Sequence, residues 1–85
     1  MYTIYILRTD KNTLYIGYTS DLEKRLAEHK SKSPKSAKYM RYFDSFELVY
    51  TEEYESRGEA MKREAALKKL SRKQKDELIT EKTKH

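Results

Sequence analysis

Five side chains in this sequence carry groups able to do chemistry: the phenols of Tyr5 and Tyr15, the guanidinium of Arg25, the imidazole of His29 and the carboxylate of Glu64. Arginine's planar fork suits phosphate, both in binding and as negative charge builds in a transition state. Histidine accepts or relays a proton near neutral pH. A free phenol has a pKa of about 10 and is a poor base there. Nearby cations such as Arg25, Lys68 or a metal would lower that value, or the tyrosine would only position a water. Glu64 falls between Ala60 and Met61 on a helical wheel, with Leu67 one turn on, and a carboxylate in an apolar stripe is costly unless something compensates it. An i,i+4 ion pair with Lys68 is the ordinary compensation, although Lys68 reads as lying on the same half-buried stripe. A divalent cation, which takes carboxylate oxygen and keeps several waters, accounts for Glu64 better.

The elements that must position these groups are legible in pattern. Tyr2, Ile4 and Ile6, then Leu14, Ile16 and Tyr18, alternate on either side of Asp10-Lys11-Asn12 and predict a β-hairpin. A three-residue loop with Asn12 left-handed sets Thr9 opposite Thr13 and Tyr5 opposite Gly17. Tyr5 and Tyr15 then share one face diagonally, with Ile4, Ile6, Leu14 and Ile16 on the other as core. Serine capping boxes at Ser20/Glu23, Ser56/Glu59 and Ser71/Gln74 predict helices at roughly 20–30, 56–69 and 71–81. Arg25 and His29 stand one turn apart on the first, at the shoulder of a Leu22/Leu26 stripe. Phe46 to Glu53 is rich in β-formers and predicts a third strand. The result is an α+β domain of order β-β-α-β-α-α, a small three-stranded antiparallel sheet flanked by helices. Residues 1–80 make the domain and 81–85 a tail. Tyr2, Tyr50 and Tyr54 are expected only to pack, with hydroxyls at the rim.

Thr3-Ile4-Tyr5, Leu14-Tyr15-Ile16-Gly17-Tyr18-Thr19, Asp21-Leu22-Glu23-Lys24-Arg25, Ala37-Lys38-Tyr39, Glu47-Leu48-Val49-Tyr50 and Arg63-Glu64-Ala65-Ala66-Leu67-Lys68, in this order, resemble the GIY-YIG nuclease domain. The likeness is closest to its short stand-alone members and runs from Tyr2 to about Ile79. Thr3 departs from it, standing where the first motif has glycine. The resemblance implies an endonuclease on DNA, with DNA repair as its setting. It also implies one Mg²⁺ or Mn²⁺ held by Glu64, water activated or oriented by Tyr5 or Tyr15 with His29 assisting, and Arg25 on the phosphate. A non-catalytic DNA- or RNA-binding adaptor on the same fold is the alternative.

Charge is segregated within a net +5. Lys30 to Arg41 holds five basic residues and no acid, and Arg57 to Lys75 holds eight against Glu59 and Glu64. Acids gather instead between Asp44 and Glu59. Such a face suits nucleic-acid phosphates, and a merely soluble, lysine-rich surface reads the same way on charge alone. The resemblance, through Ala37-Lys38-Tyr39, implies DNA in preference to RNA, with Lys38, Tyr39, Arg41 and Lys68 the expected contacts. The absence of cysteine excludes disulfides and fits a cytoplasmic setting. The apolar runs are too short for a membrane span. In a chain this small, targeting falls to a protein partner, self-association or substrate shape.

Overall fold

The computed structural model describes residues 1–31 and 45–83, so Lys38, Tyr39 and Arg41 lie outside the described residues. Strand β1 (Tyr2–Thr9) turns into β2 (Leu14–Thr19), followed by helix α1 (Leu22–Lys30), strand β3 (Phe46–Tyr54) and helices α2 (Arg57–Lys68) and α3 (Arg72–Thr83). This is the expected β-β-α-β-α-α order. The sheet is antiparallel throughout, in the order β2-β1-β3.

Turn chemistry fixes the hairpin. Asn12 takes the left-handed conformation at φ 62°, which asparagine tolerates better than most residues. The Thr9 amide donates to the Thr13 carbonyl at 2.9 Å, and the two threonine hydroxyls meet at 2.6 Å. Tyr5 therefore pairs with Gly17, Ile6 with Ile16 and Leu7 with Tyr15. A bulge in β3 between the Ile6–Tyr50 and Leu7–Leu48 pairs leaves Val49 unopposed.

The pleat sends alternate residues of β1 to opposite faces. On one face Ile4, Ile6 and Ile16 pack with Tyr50, Ala60 and Leu67 under α2 and with Ile79 of α3. On the other, Tyr5 and Leu7 pack with Tyr15, Phe46 and the Leu22 and Leu26 side chains of α1. Burying each large side chain contributes about 1.5–3 kcal/mol.

Among the described residues one of the three capping boxes forms in full, at Ser71/Gln74, and a second, at Ser56/Glu59, by its hydroxyl half alone. The Ser56 hydroxyl accepts from the Glu59 amide at 3.2 Å. Ser71 and Gln74 cap reciprocally, at 3.2 Å and 2.9 Å. At α1 the cap is Asp21 instead of Ser20: its carboxylate accepts from the Lys24 amide at 3.1 Å. A charged acceptor at the positive end of the helix outcompetes a hydroxyl, and Thr19 Oγ1 accepts from the Asp21 amide to hold it there.

Candidate active site

The sheet face under α1 gathers four of the five reactive side chains. Tyr5, on the central strand, is 1% exposed, and its hydroxyl lies 3.1 Å from His29 Nε2. His29, in the last turn of α1, is 2% exposed, so it lies within the core and not at the shoulder where the leucine stripe alone places it. The reason is the width of the apolar surface below it. Tyr5 and Tyr15 lie with ring centroids 6.2 Å apart, and His29 stands edge-on to Tyr15 at 5.6 Å and to Phe46 at 6.1 Å. Three rings spread that surface beyond what Leu22 and Leu26 cover.

Gly17 makes this arrangement possible. A Cβ there would fall 2.7 Å from the Tyr5 hydroxyl oxygen and 2.8 Å from its Cζ, closer than atoms approach. The glycine closing the second tripeptide is the floor on which the Tyr5 ring rests. A requirement across strands leaves no mark in one sequence beyond the Tyr5–Gly17 register itself.

Electrostatics define what the cluster does. Burial pushes the Tyr5 phenol up to about 12, and the neighbouring Arg25 guanidinium offsets only part of this. The cationic surroundings therefore do not make Tyr5 acidic, because loss of water outweighs them. Burial, then the Arg25 charge, holds the His29 imidazole below its ordinary value, with Glu28 pulling weakly the other way. For Arg25 itself burial opposes the charge, but hydrogen bonds to Tyr5 and Glu28 keep it protonated more firmly than usual. Its Nη1 donates to Glu28 Oε1 at 3.2 Å. Near neutral pH the cluster thus holds a neutral phenol, a neutral imidazole and a fixed cation.

Glu64 lies on α2, across the sheet from α1. Its carboxylate is 21% exposed and faces the Lys68 ammonium at 3.6 Å, so the i,i+4 ion pair does form. Lys68 is 55% exposed and not on a half-buried stripe, because α2 turns Ala60 and Leu67 inward and leaves Met61 exposed. Among the described residues, no hydrogen bond or ion pair joins Glu64 directly to the tyrosines. The connection is a cleft at the outer edge of β2, where Lys68 shares walls with Tyr15, Leu14, Ile16 and Lys75. Also among the described residues, no three His, Cys, Asp or Glu side chains gather as a ready-made metal cage.

A second polar cluster escaped the sequence reading. Glu52 of β3 is 16% exposed and takes a bidentate bond from Arg63 of α2, at 2.9 and 3.1 Å. The Tyr54 hydroxyl donates to it at 2.6 Å and the Tyr50 hydroxyl also donates to it. Tyr50 and Tyr54 therefore anchor a carboxylate and do more than pack. Alternation was the available signal: positions 50, 52 and 54 share one face of the strand.

A face of two tyrosines backed by histidine and arginine, on this strand and helix order, has its counterpart in a family of nucleases. The profile of the GIY-YIG catalytic domain matches residues 1–77, and the chain belongs to that family. Its relatives include a UPF0213 protein of Natronomonas pharaonis, 42% identical over 94% of this chain and 92% of its own. Another, from Halobacterium salinarum, is 41% identical over 93% of this chain and all of its own. The solution NMR structure of the UPF0213 protein from Bacillus halodurans matches with a TM-score of 0.64 at 39% identity, over 99% of this chain and 88% of that one. Family membership implies a nuclease, a hydrolase that engages nucleic acid. No helix among the described residues is long and apolar enough to cross a membrane.

Proposed function

We propose that this protein is a divalent-metal-dependent endonuclease, acting on DNA in preference to RNA. The observation that carries the reading is the buried 3.1 Å contact between the Tyr5 hydroxyl and His29 Nε2, with Arg25 beside it. A phenol held near 12 is too weak an acid to wait as phenolate at neutral pH. It can still take a proton from water in the same step that it gives its own to neutral His29. The water proton enters on the Tyr5 oxygen, the Tyr5 proton leaves for Nε2, and the charge appears on an imidazole where no phenolate need form. Tyr15, half-buried beside both rings, orients the water. Arg25 is held charged and partly exposed, suited to bind the scissile phosphate and balance the charge that builds on it.

Glu64 fits a hard divalent cation. Its Lys68 partner, at 3.6 Å, is looser than the ~2.7–2.9 Å of a firm charged hydrogen bond and can be displaced. With one carboxylate and no cage among the described residues, Glu64 would hold Mg²⁺ or Mn²⁺ weakly unless water and substrate complete the shell. When bound, such an ion supplies Lewis acidity at the phosphate and the leaving oxygen. Lys68, and the basic Lys38, Tyr39 and Arg41 segment, would hold the flanking backbone. A cysteine-free chain suits the reducing cytoplasm. Targeting would come from a protein partner or self-association.

The Glu64–Lys68 ion pair also supports a second reading, since it gives Glu64 a use without metal: a DNA- or RNA-binding adaptor. Cleavage of labelled branched, single-stranded and duplex DNA, and of RNA, with Mg²⁺ or Mn²⁺ separates the two. Under the endonuclease reading Glu64→Gln loses about 10³-fold in cleavage while binding is retained. Binding by both proteins with cleavage by neither would leave the adaptor.

A further inference from the structure

The cleft at the outer edge of β2 includes Tyr15, whose ring packs near Tyr5 and His29, while Leu14, Ile16 and Lys75 take no part in the chemistry above. Its volume is about 320 Å³, at the small end of the ~300–1,000 Å³ typical of ligand pockets. That is room for one nucleotide.

Two kinds of wall face each other there. Leu14 and Ile16, with Tyr15 between them on the same edge strand, form an apolar side, and Lys68 and Lys75 a cationic one. Neither cation is firmly engaged. Lys68 is more than half exposed and, among the described residues, reaches only Glu64, at 3.6 Å. Half-buried Lys75 forms no ion pair among the described residues. A flat apolar group carrying a phosphate uses both walls, and that is a nucleotide. Inside a duplex a base has both faces stacked and its edge paired, so it must leave the stack to reach an aromatic or aliphatic wall.

We propose that this cleft is a subsite for one unpaired nucleotide of the substrate strand. Its base lies against Leu14, Ile16 and Tyr15, and its phosphate on Lys68 and Lys75. The inference rests on the nuclease reading above and narrows its substrate to nucleic acid with unpaired nucleotides, such as single strands, gaps, branches or frayed ends.

NMR titration of the full chain in EDTA, where no cleavage occurs, tests it. The probes are a 5′-phosphorylated thymidine dinucleotide, inorganic phosphate and a blunt hairpin duplex. The Leu14 and Ile16 methyls should shift saturably with the dinucleotide and not with inorganic phosphate or duplex. Lys75→Glu should weaken the dinucleotide by about tenfold and Lys75→Gln by less, other resonances keeping their wild-type dispersion. Shifts confined to other residues, equal shifts with inorganic phosphate or duplex, or unchanged affinity in Lys75→Glu would overturn the subsite. Saturable shifts in a protein that cleaves nothing when metal is restored would remove the nuclease and leave the nucleotide site. Cleavage with silent Leu14 and Ile16 would do the reverse.

Discussion

Tyrosines occupy both faces of the sheet, and the two sets differ in what their hydroxyls meet. Under α1, Tyr5 faces a neutral imidazole with a cation nearby. Under α2, Tyr50 and Tyr54 face Glu52, whose charge Arg63 already neutralises. Burial raises both Tyr5 and Tyr50 to about 12, so acidity alone does not tell the faces apart. The partner does. A phenol that donates to a carboxylate held near 2 has no useful acceptor for its proton, since that carboxylate resists protonation. A phenol beside a neutral imidazole has one. Perturbed titration marks a functional site only when the partner can complete a transfer.

Paired removal of the two hydroxyls is the most direct way to break this comparison, and it carries the largest expected effect. Tyr5→Phe should reduce cleavage by about 10²–10⁴-fold, the usual worth of general acid–base catalysis. Tyr50→Phe should change turnover per folded molecule by no more than about twofold and cost about 1 kcal/mol in stability. Single-turnover cleavage of one substrate, normalised to folded protein, reads both. Equal losses would mean that Tyr5 acts through packing and that the faces do not differ in kind.

Stability should divide the faces the opposite way. Burial opposes charge on Glu52, but hydrogen bonds from Arg63, Tyr50 and Tyr54 outweigh it and lower its pKa from 4.5 to about 2. On acidification the unfolded chain takes up this proton first. The contribution is therefore complete above about 4.5 and lost as pH falls toward 2. Glu52→Gln removes that acid-side slope and leaves Arg63 without its counter-ion. Arg63 is over a third exposed, so screening limits the loss at neutral pH to about 1–2 kcal/mol. Urea unfolding between pH 3 and pH 7 measures both quantities. A slope that persists in the variant would place the acid sensitivity elsewhere in the chain.

What the sequence disclosed, and what it hid, divides along the same line. The hairpin register was legible because a period of two and a left-handed Asn12 leave one pairing that keeps the isoleucines together. That register carried Tyr5 and Tyr15 to one face, as observed. The burial of His29 was hidden, because a helical wheel reads the helix's own stripe and not the rings beneath it. The Glu52 network was hidden because its cation comes from eleven residues away, on a helix whose docking a strand pattern does not specify. Amid the acids from Asp44 to Glu59, that carboxylate reads as one more solvated charge. The exposure of Lys68 depended in turn on which way α2 rolls over Ile4 and Ile16.

The smallest effects sharpen the comparison at its floor. The Tyr5 ring lies between Gly17 and His29, all three buried, so it has nowhere to swing. In Gly17→Ala the new methyl would sit 2.7 Å from the Tyr5 hydroxyl oxygen and 3.2 Å from Tyr15 Cε2. Strain of this kind costs about 1–3 kcal/mol and lifts the hydroxyl away from Nε2, so cleavage should fall with stability. Gly58, in the first turn of α2, is the control. Nothing lies within 4 Å of a Cβ built there and its φ is not positive. Gly58→Ala should then raise stability by about 0.5 kcal/mol through helix propensity, with cleavage unchanged. Thermal unfolding of the two variants side by side should move them in opposite directions. A neutral Gly17→Ala would mean that the Tyr5 ring has a second resting place, and that β2 does not hold it against His29.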